Sequence, residues 1–591
     1  MRVVDAVAQY LVNEGVEHYF GYIGATVWPL LDALIEKPQL KGIQPKHEAA
    51  AVQMADAYYR LKHKVAPVIV TKGPGVLNTV CAVTNAMHDS SAVVLIAGAG
   101  PTQYFDKGGY EEVYYHQSED TTSVFRPIVK RAWLVVRPEN TLDVLSRALK
   151  TATTGRPGPV LVQLPWDIQL SEFAFDVPDP NWLKPVRRTR GDSREIEKAA
   201  QLLLSAQRPL IVVGGGAMTS EALPEILLLT ARYRIPIVTS LMAKGAVSDN
   251  DPLSLGQIGR AGSGAANQSA KEADVILGIG CRFTDWETIN WRQNVVFGIP
   301  PSKLIQIDID ESEIGRNYQV EVGIVGDAKA SLEDLLKSME QISQREKEEQ
   351  RKRVSDWVQS VTQRKADWEK TLSKDLLSDV MPMHPARLLY EIRKAVPDDT
   401  LFFNDIGEMI QNGQGYLKIV EPKSWYINGG MFQMGWGGVA VLTGKLLYPN
   451  RPCIALIGDG AFLMINYALA TAVENDLAAI WIIFNNYGPN LERKAELDLY
   501  HRAHPWGSFS KKGGGSDTLY NPDFVKMAES YGAKGTHAKT PAEVSEAVRR
   551  AIGAKAPYVI EVPTNRDVPT FFAPGLNRAY PSSWTDLAPH L

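Results

Sequence analysis

The sequence predicts an α/β protein made of three doubly wound parallel-sheet domains and a C-terminal tail. Two observations carry that prediction. Short Val/Ile/Leu-rich runs, each followed by a Gly-containing loop and a helical pattern, recur in three stretches: APVIVTKGPG and AVVLIAGAG early, RPLIVVGGGA and ADVILGIG in the middle, RPCIALIGDG and AAIWIIFNN late. Continuous apolar runs alternating with helices are what parallel strands buried on both faces look like. The chain is 591 residues long, and at about 150 residues per domain that is room for three or four domains. With 45% hydrophobic and 22% charged residues, disorder, collagen and coiled coil fit poorly. Lys plus Arg number 63 against 67 Asp plus Glu, so no basic field favours a nucleic-acid partner.

The elements follow in order. MRVVDAVAQYLVNEGV places Val3, Val4, Val7, Tyr10 and Leu11 on one helical face and Asp5, Gln9 and Glu14 opposite, an amphipathic helix rather than a signal-peptide core. No apolar run approaches the roughly 20 residues of a membrane span. Cys81, Cys281 and Cys453 lie far apart without disulfide or zinc spacing, so a reducing, cytoplasmic setting is expected. Val177 to Gly191 reads as a Pro- and Arg-rich linker, and the charged stretch from Glu340 to Lys374 as a solvated connecting helix. The expected domains are therefore 1–180, 190–345 and 375–565. The tail, 566–591, carries aromatics without periodicity and is expected either to pack on the body or to close over a site as a lid.

The most specific signal is Gly458-Asp459-Gly460 followed twenty-four residues later by Asn485-Asn486. CIALI precedes the first and AAIWIIF the second, so both motifs end neighbouring parallel strands of a βαβ unit, where ligands of open sheets bind. Asp459, the Asn486 amide and a backbone carbonyl at Gly488 make a hard oxygen set for Mg2+ or Ca2+ that would also hold a diphosphate. The Gly460-Ala461 amides would face the phosphates. Alone, GDG is as easily a tight turn; the spacing, the strand context and the further motifs favour a cofactor site.

This GDG and NN pattern resembles the diphosphate and metal motif of thiamine diphosphate enzymes. Nearly the whole chain, all but the tail, resembles their acetolactate-synthase-like group. The resemblance implies pyrimidine-binding, central nucleotide-binding-like and diphosphate-binding domains in that order. It implies that Glu48 of KHEAAA activates the cofactor, that Gly73, Pro74, Gly75 and Asn78 of TKGPGVLNTV form its TSGPG-like loop, and that Gly24-Ala25 of GYIGATVWPLL form the oxyanion loop. Phe432 and Met434 of GGMFQMGWG would prop the bent cofactor, the flanking glycines letting backbone approach its ring. Gln117 in YYHQSED matches a substrate-side glutamine, and His116, standing where an aromatic is usual, is either a general acid or a packed histidine. PLSLGQIG and QIDIDESEIG resemble the central domain, with Arg260, Arg282 and Asp308 as candidates to contact ADP, CoA or FAD; Arg260 replaces the Met-His pair of FAD-binding members. The family's cofactor lies across a subunit interface, which implies a homodimer or homotetramer in which one chain gives Glu48 and the other the diphosphate site.

The chemistry implied is cleavage or formation of a C–C bond beside a carbonyl of a small-molecule substrate through a cofactor-bound carbanion, with a proton shuttle near the reacting centre. Glu492, one turn beyond the metal ligands, is the shuttle candidate, against the plainer reading of a surface ion pair four residues apart. A glutamate there resembles that of 2-hydroxyacyl-CoA lyases, and LERKAELDLY is similar to sulfoacetaldehyde acetyltransferase. The first reading is thus a lyase or ligase for short acyl substrates using a CoA thioester, with Arg566, Lys511 and Lys512 available for phosphates. The alternatives are an acetolactate-synthase-like carboligase or decarboxylase of 2-oxo acids and an FAD-containing 2-oxo acid oxidase.

Overall fold

The computed structural model describes residues 1–113, 121–178, 188–341, 344–511 and 518–572. Three six-stranded sheets, every ladder of them parallel, match the three predicted layers. The first contains β1 (His18–Tyr22), β2 (Lys41–Ile43), β3 (Val68–Val70), β4 (Val94–Ala99), β5 (Arg131–Leu134) and β6 (Val160–Pro165) in the order β2-β1-β3-β4-β6-β5. The second contains β7 (Pro209–Val213), β8 (Ile237–Thr239), β9 (Ser254–Gln257), β10 (Val275–Ile279), β11 (Lys303–Asp308) and β12 (Val322–Val325), ordered β12-β11-β10-β7-β8-β9. The third contains β13 (Leu401–Asn404), β14 (Trp425–Ile427), β15 (Cys453–Gly458), β16 (Ile480–Asn485), β17 (Lys534–His537) and β18 (Tyr558–Pro563), ordered β14-β13-β15-β16-β18-β17. The first and third sheets therefore share one topology and the second has the order common in dinucleotide-binding folds. All six apolar runs singled out in the sequence are strands, and β3, β4, β7 and β10 are buried throughout.

The chain forms two compact units. The first is Met1–Arg187 with Asn428–Pro449 and Ile465–Leu477; the second is the remainder, Arg188–Ile427, Asn450–Met464 and Ala478–Leu591. In the first unit the amphipathic helix Val3–Asn13 buries the five predicted residues, with Ala6 and Ala8. Helix Trp436–Leu447, apolar nearly all round, belongs to this unit because it needs a partner on most of its surface: Trp436 is fully buried and its Nε1 donates to Asp56 Oδ2 of helix Glu48–Lys62 at 2.7 Å.

In the second unit the charged stretch is helical, over Gln344–Arg353 and Ser355–Leu376, but it is not simply solvated. Trp357 and Val361 sit in the core beneath the second sheet with Leu210 and Ile276, and the Trp357 Nε1 donates to the Pro209 carbonyl at 3.0 Å. A charge average over the stretch hides this narrow apolar stripe, which is enough to dock a helix. Trp357→Ala is expected to cost about 3–5 kcal/mol, the usual result of emptying a large core site, read as a lowered urea midpoint for the transition that reports this sheet. The start of the tail packs on the body, as one of the two expectations had it: Phe571 is buried, with its ring 4.8 Å from Tyr416. Residues 573–591 lie outside the described residues. None of the three cysteines forms a disulfide, and among the described residues no helix is long and apolar enough to cross a membrane.

Candidate active site

In the first unit the sheet order reverses between β1 and β3, and the loops leaving these strands carry Gly24-Ala25 and Gly73-Pro74-Gly75. Such a reversal opens a crevice at the carboxyl ends of the strands. The loops touch so closely that glycine is required: a Cβ on Gly24 would lie 2.4 Å from the Thr71 Cβ, and one on Gly73, whose φ is +58°, 2.3 Å from the Glu111 carbonyl oxygen. Glu48 opens helix Glu48–Lys62, behind a His47 cap that accepts the Ala49 amide. Its Oε2 accepts a hydrogen bond from Asn78 Nδ2 at 3.0 Å, and its Oε1 would lie 3.7 Å from a Cβ on Gly75. The structure thus brings Glu48, Gly75 and Asn78 into one cluster, with one carboxylate oxygen held by an amide and the other beside a bare glycine.

Phe432 and Met434, both half-buried, lie on the segment entering helix Trp436–Leu447. That segment is pinned from below. Asp89 Oδ1 accepts the Gly430 amide at 2.6 Å, Asn428 Nδ2 donates to Asn85 Oδ1 at 3.0 Å, and Arg60 joins Asp56 and Asp89. Protein neighbours already require two of this segment's glycines: a Cβ on Gly430 would lie 2.5 Å from the His88 Cβ and one on Gly435 2.4 Å from Ile465 Cγ2. Gln117 and His116 lie outside the described residues.

In the second unit Asp459 and Asn486 directly follow the ends of the paired strands β15 and β16, as the spacing predicts. Asp459 is 1% exposed, and burial pushes its carboxyl up to about 6. Its Oδ1 accepts the Gly460 amide at 2.8 Å, and its Oδ2 accepts the Gly488 amide at 3.0 Å and Asn521 Nδ2 at 2.7 Å. The Gly460 amide, expected to face phosphate, is therefore given to the Asp459 side chain, because a buried carboxylate takes the nearest donor. Gly458 ends β15 with open space around its Cα, and Ala461 is buried behind it. The Gly488 carbonyl accepts the Asn490 amide at 2.8 Å.

A second buried acid escaped the sequence reading. Glu408 follows Gly407 after β13, at the point where this sheet also reverses, between β13 and β15. It is 9% exposed and accepts from Asn486 Nδ2 at 2.9 Å, Asn490 Nδ2 at 2.9 Å, Lys494 Nζ at 2.5 Å and Thr570 Oγ1 at 2.7 Å. An acid one residue past a glycine at a strand end, NDIGE, was the available signal. Glu492, by contrast, is exposed in the first turn of helix Asn490–Tyr500, and the turn sends Lys494 rather than Glu492 to Glu408.

The remaining candidates have the following surroundings. Arg260 donates to Asn290 Oδ1 and lies over Trp286, Asp308 accepts the Asp310 amide, and the Arg282 carbonyl accepts from Asn317. The Gly-rich turn after β7 packs on the turn after β10, where a Cβ on Gly214 would lie 2.0 Å from the Gly280 carbonyl oxygen, so its glycines are explained without a nucleotide. Arg566 donates to Ser508 Oγ, Lys511 lies over Tyr520, and Lys512 is outside the described residues.

The donor set around Asp459 suits a hard divalent cation. Glu408 anchors the Asn486 amide nitrogen, which turns the Asn486 Oδ1 away from it; that oxygen is buried without a hydrogen-bond partner. A buried acceptor left without a donor costs about 1–3 kcal/mol, and a cation removes that penalty while neutralising Asp459.

Known proteins agree with this geometry. Family models match residues 1–120 as the thiamine pyrophosphate enzyme N-terminal TPP binding domain, 196–335 as its central domain and 405–562 as its C-terminal TPP binding domain. A probable acetolactate synthase large subunit of Methanococcus aeolicus is 34% identical over 572 residues, covering 95% of this chain and 92% of the relative. The acetolactate synthase large subunit of Haemophilus influenzae is 33% identical over 557 residues, with 93% and 92% covered. The isozyme 3 large subunit of Escherichia coli is 30% identical over 552 residues, with 93% and 92% covered. Similarity of this extent along both chains settles the family: the protein is a thiamine diphosphate-dependent enzyme acting at carbon–carbon bonds, and it belongs to the acetolactate synthase-like group.

Proposed function

We propose that the chain is an acetolactate-synthase-type carboligase, which removes CO2 from one 2-oxo acid and joins the remaining acyl unit to a second. The observation that carries this is the full-length likeness to several acetolactate synthase large subunits, in a chain that retains Glu48, Asp459 and Asn486. The reading placed first in the sequence, a 2-hydroxyacyl-CoA lyase, has no support from those relatives. Arg566 and Lys511, the cations expected to meet CoA phosphates, are held by Ser508 and Tyr520.

In this reading Asp459, the Asn486 Oδ1 and the Gly488 carbonyl would hold Mg2+ at the diphosphate end of the cofactor. Thiamine diphosphate, when bound, would supply a carbon nucleophile and an electron sink for C–C bond chemistry. Glu48 would exchange a proton with the cofactor's pyrimidine ring, with Asn78 fixing its carboxylate. Met434 would support the cofactor from a segment that Asp89 keeps still, so that groups are aligned before reaction. Gly24 and Ala25 leave room, and backbone donors, for the oxygen that gains charge. The working form is at least a homodimer, with Glu48 from one chain and Asp459 from the other. The relatives' designation as large subunits supports a smaller partner chain as well.

With Mg2+, thiamine diphosphate and pyruvate, the purified protein is expected to release CO2 and form acetolactate. Turnover of a 2-hydroxyacyl-CoA panel with none of pyruvate would overturn the proposal, and a bound flavin that is reduced during turnover would move the reaction to the oxidase class.

A further inference from the structure

Three side chains from separate elements form a continuous hydrogen-bonded line behind Asp459. Glu561, 8% exposed on β18, accepts Asn485 Nδ2 through its Oε1 at 2.7 Å. Asn485, 2% exposed at the end of β16, turns its Oδ1 to Asn521 Nδ2 at 2.8 Å. The same Asn521 nitrogen donates to Asp459 Oδ2 at 2.7 Å. Beyond the far end stands His537, whose Nδ1 lies 3.1 Å from Glu561 Oε2 and whose Nε2 lies 3.3 Å from Asp523 Oδ1.

The line permits one orientation only. An ionised carboxylate only accepts, so with a carboxylate at each end both amides must present nitrogen outward: Asn485 to Glu561, and Asn521 to Asp459. Asn521 then spends both of its hydrogens, one on Asn485 Oδ1 and one on Asp459 Oδ2. Together with the Gly488 amide, this gives Asp459 Oδ2 two donors, the number its lone pairs take, whereas Oδ1 accepts the Gly460 amide. With Oδ2 filled, Oδ1 is the oxygen left to face a cation.

We propose that Glu561, Asn485 and Asn521 are positioning residues that lock the Asp459 carboxylate and direct Oδ1 to the cation, so that the first asparagine of the Asn485-Asn486 pair serves as a strut and the second as a ligand. The proposal rests on the reading of Asp459 as a cation ligand. Partners behind a metal ligand orient it, and removing one typically lowers metal affinity about 10–100-fold.

The test is calorimetric titration of Mg2+ with thiamine diphosphate into the wild type, Asn521→Ala, Glu561→Ala and Glu561→Gln, alongside thermal unfolding of each without metal. Asn521→Ala and Glu561→Ala are expected to weaken binding about 10–100-fold, and Glu561→Gln, which keeps an acceptor for Asn485, to remain near wild type. Asn521 is half-buried in a loop, so its variant keeps the test decisive if Glu561→Ala fails to fold. A lowered melting temperature with unchanged affinity in the alanine variants would overturn the relay and leave the function reading standing. A wild type that binds no Mg2+ and thiamine diphosphate would overturn both.

Discussion

Replacing Glu48 with glutamine is expected to lower kcat about 10²–10⁴-fold, the range for loss of a positioned proton-transfer group, with thiamine diphosphate affinity close to wild type. Glutamine has the same shape, and its Oε1 can take the hydrogen bond that Asn78 Nδ2 gives to Glu48 at 3.0 Å. The close approach of Gly75 is also preserved. What disappears is a group able to hand a proton to a ring nitrogen and take it back. Turnover at saturating cofactor, with calorimetric affinity for the cofactor, separates the two roles. Full activity in Glu48→Gln would remove Glu48 from the chemistry, and loss of binding without loss of kcat would make it a binding group only.

The second large effect is expected from Asp459→Asn, which should weaken Mg2+-dependent cofactor binding by at least about 100-fold, since losing merely a partner behind a ligand costs 10–100-fold. The same variant carries a pH signature in the metal-free protein. Burial raises the Asp459 carboxyl from 3.8 to about 6, so its ionisation is disfavoured in the folded state. That cost is fully present above about pH 6 and fades as pH falls toward the unfolded value. A rise of that size corresponds to about 3 kcal/mol over the whole range. Acidification from pH 7.5 to pH 4.5, which stops short of the unfolded value, should therefore move the stability difference in favour of the wild type by about 2 kcal/mol. A difference that does not change with pH would show that Asp459 is not strained by ionisation.

Both results would bear on residues the sequence displays openly. Glu48, Gly73, Gly75, Asp459 and Asn486 sit in short motifs at strand ends, where one local pattern carries both the backbone geometry and the chemistry. Asn521 and Glu561 carry no such mark, and Glu408 only the glycine before it at a strand end. Glu408 meets Asn486 across 78 positions, Asn521 meets Asp459 across 62 and Glu561 meets Asn485 across 76. Only the parallel pairing of β13, β15, β16 and β18 brings them together. Around Glu492 the structure adds what spacing could not show: the 3.6-residue period of its helix turns Lys494 to Glu408 and leaves Glu492 exposed.

Composition and periodicity by themselves determined the class of the protein, three parallel α/β sheets, because strands buried on both faces must be apolar along their length and helical crossovers must separate them. The spacing of Gly458-Asp459-Gly460 from Asn485-Asn486 determined which strand ends could carry a cation and a diphosphate. Tertiary structure alone decided which groups brace Asp459 and Asn486, which glycines meet protein neighbours too close for a side chain, and why Trp357 is core inside a charged helix. The reason is physical: apolar period and turn chemistry are written over a few neighbouring residues, whereas the satisfaction of a buried polar group depends on whatever the fold delivers next to it.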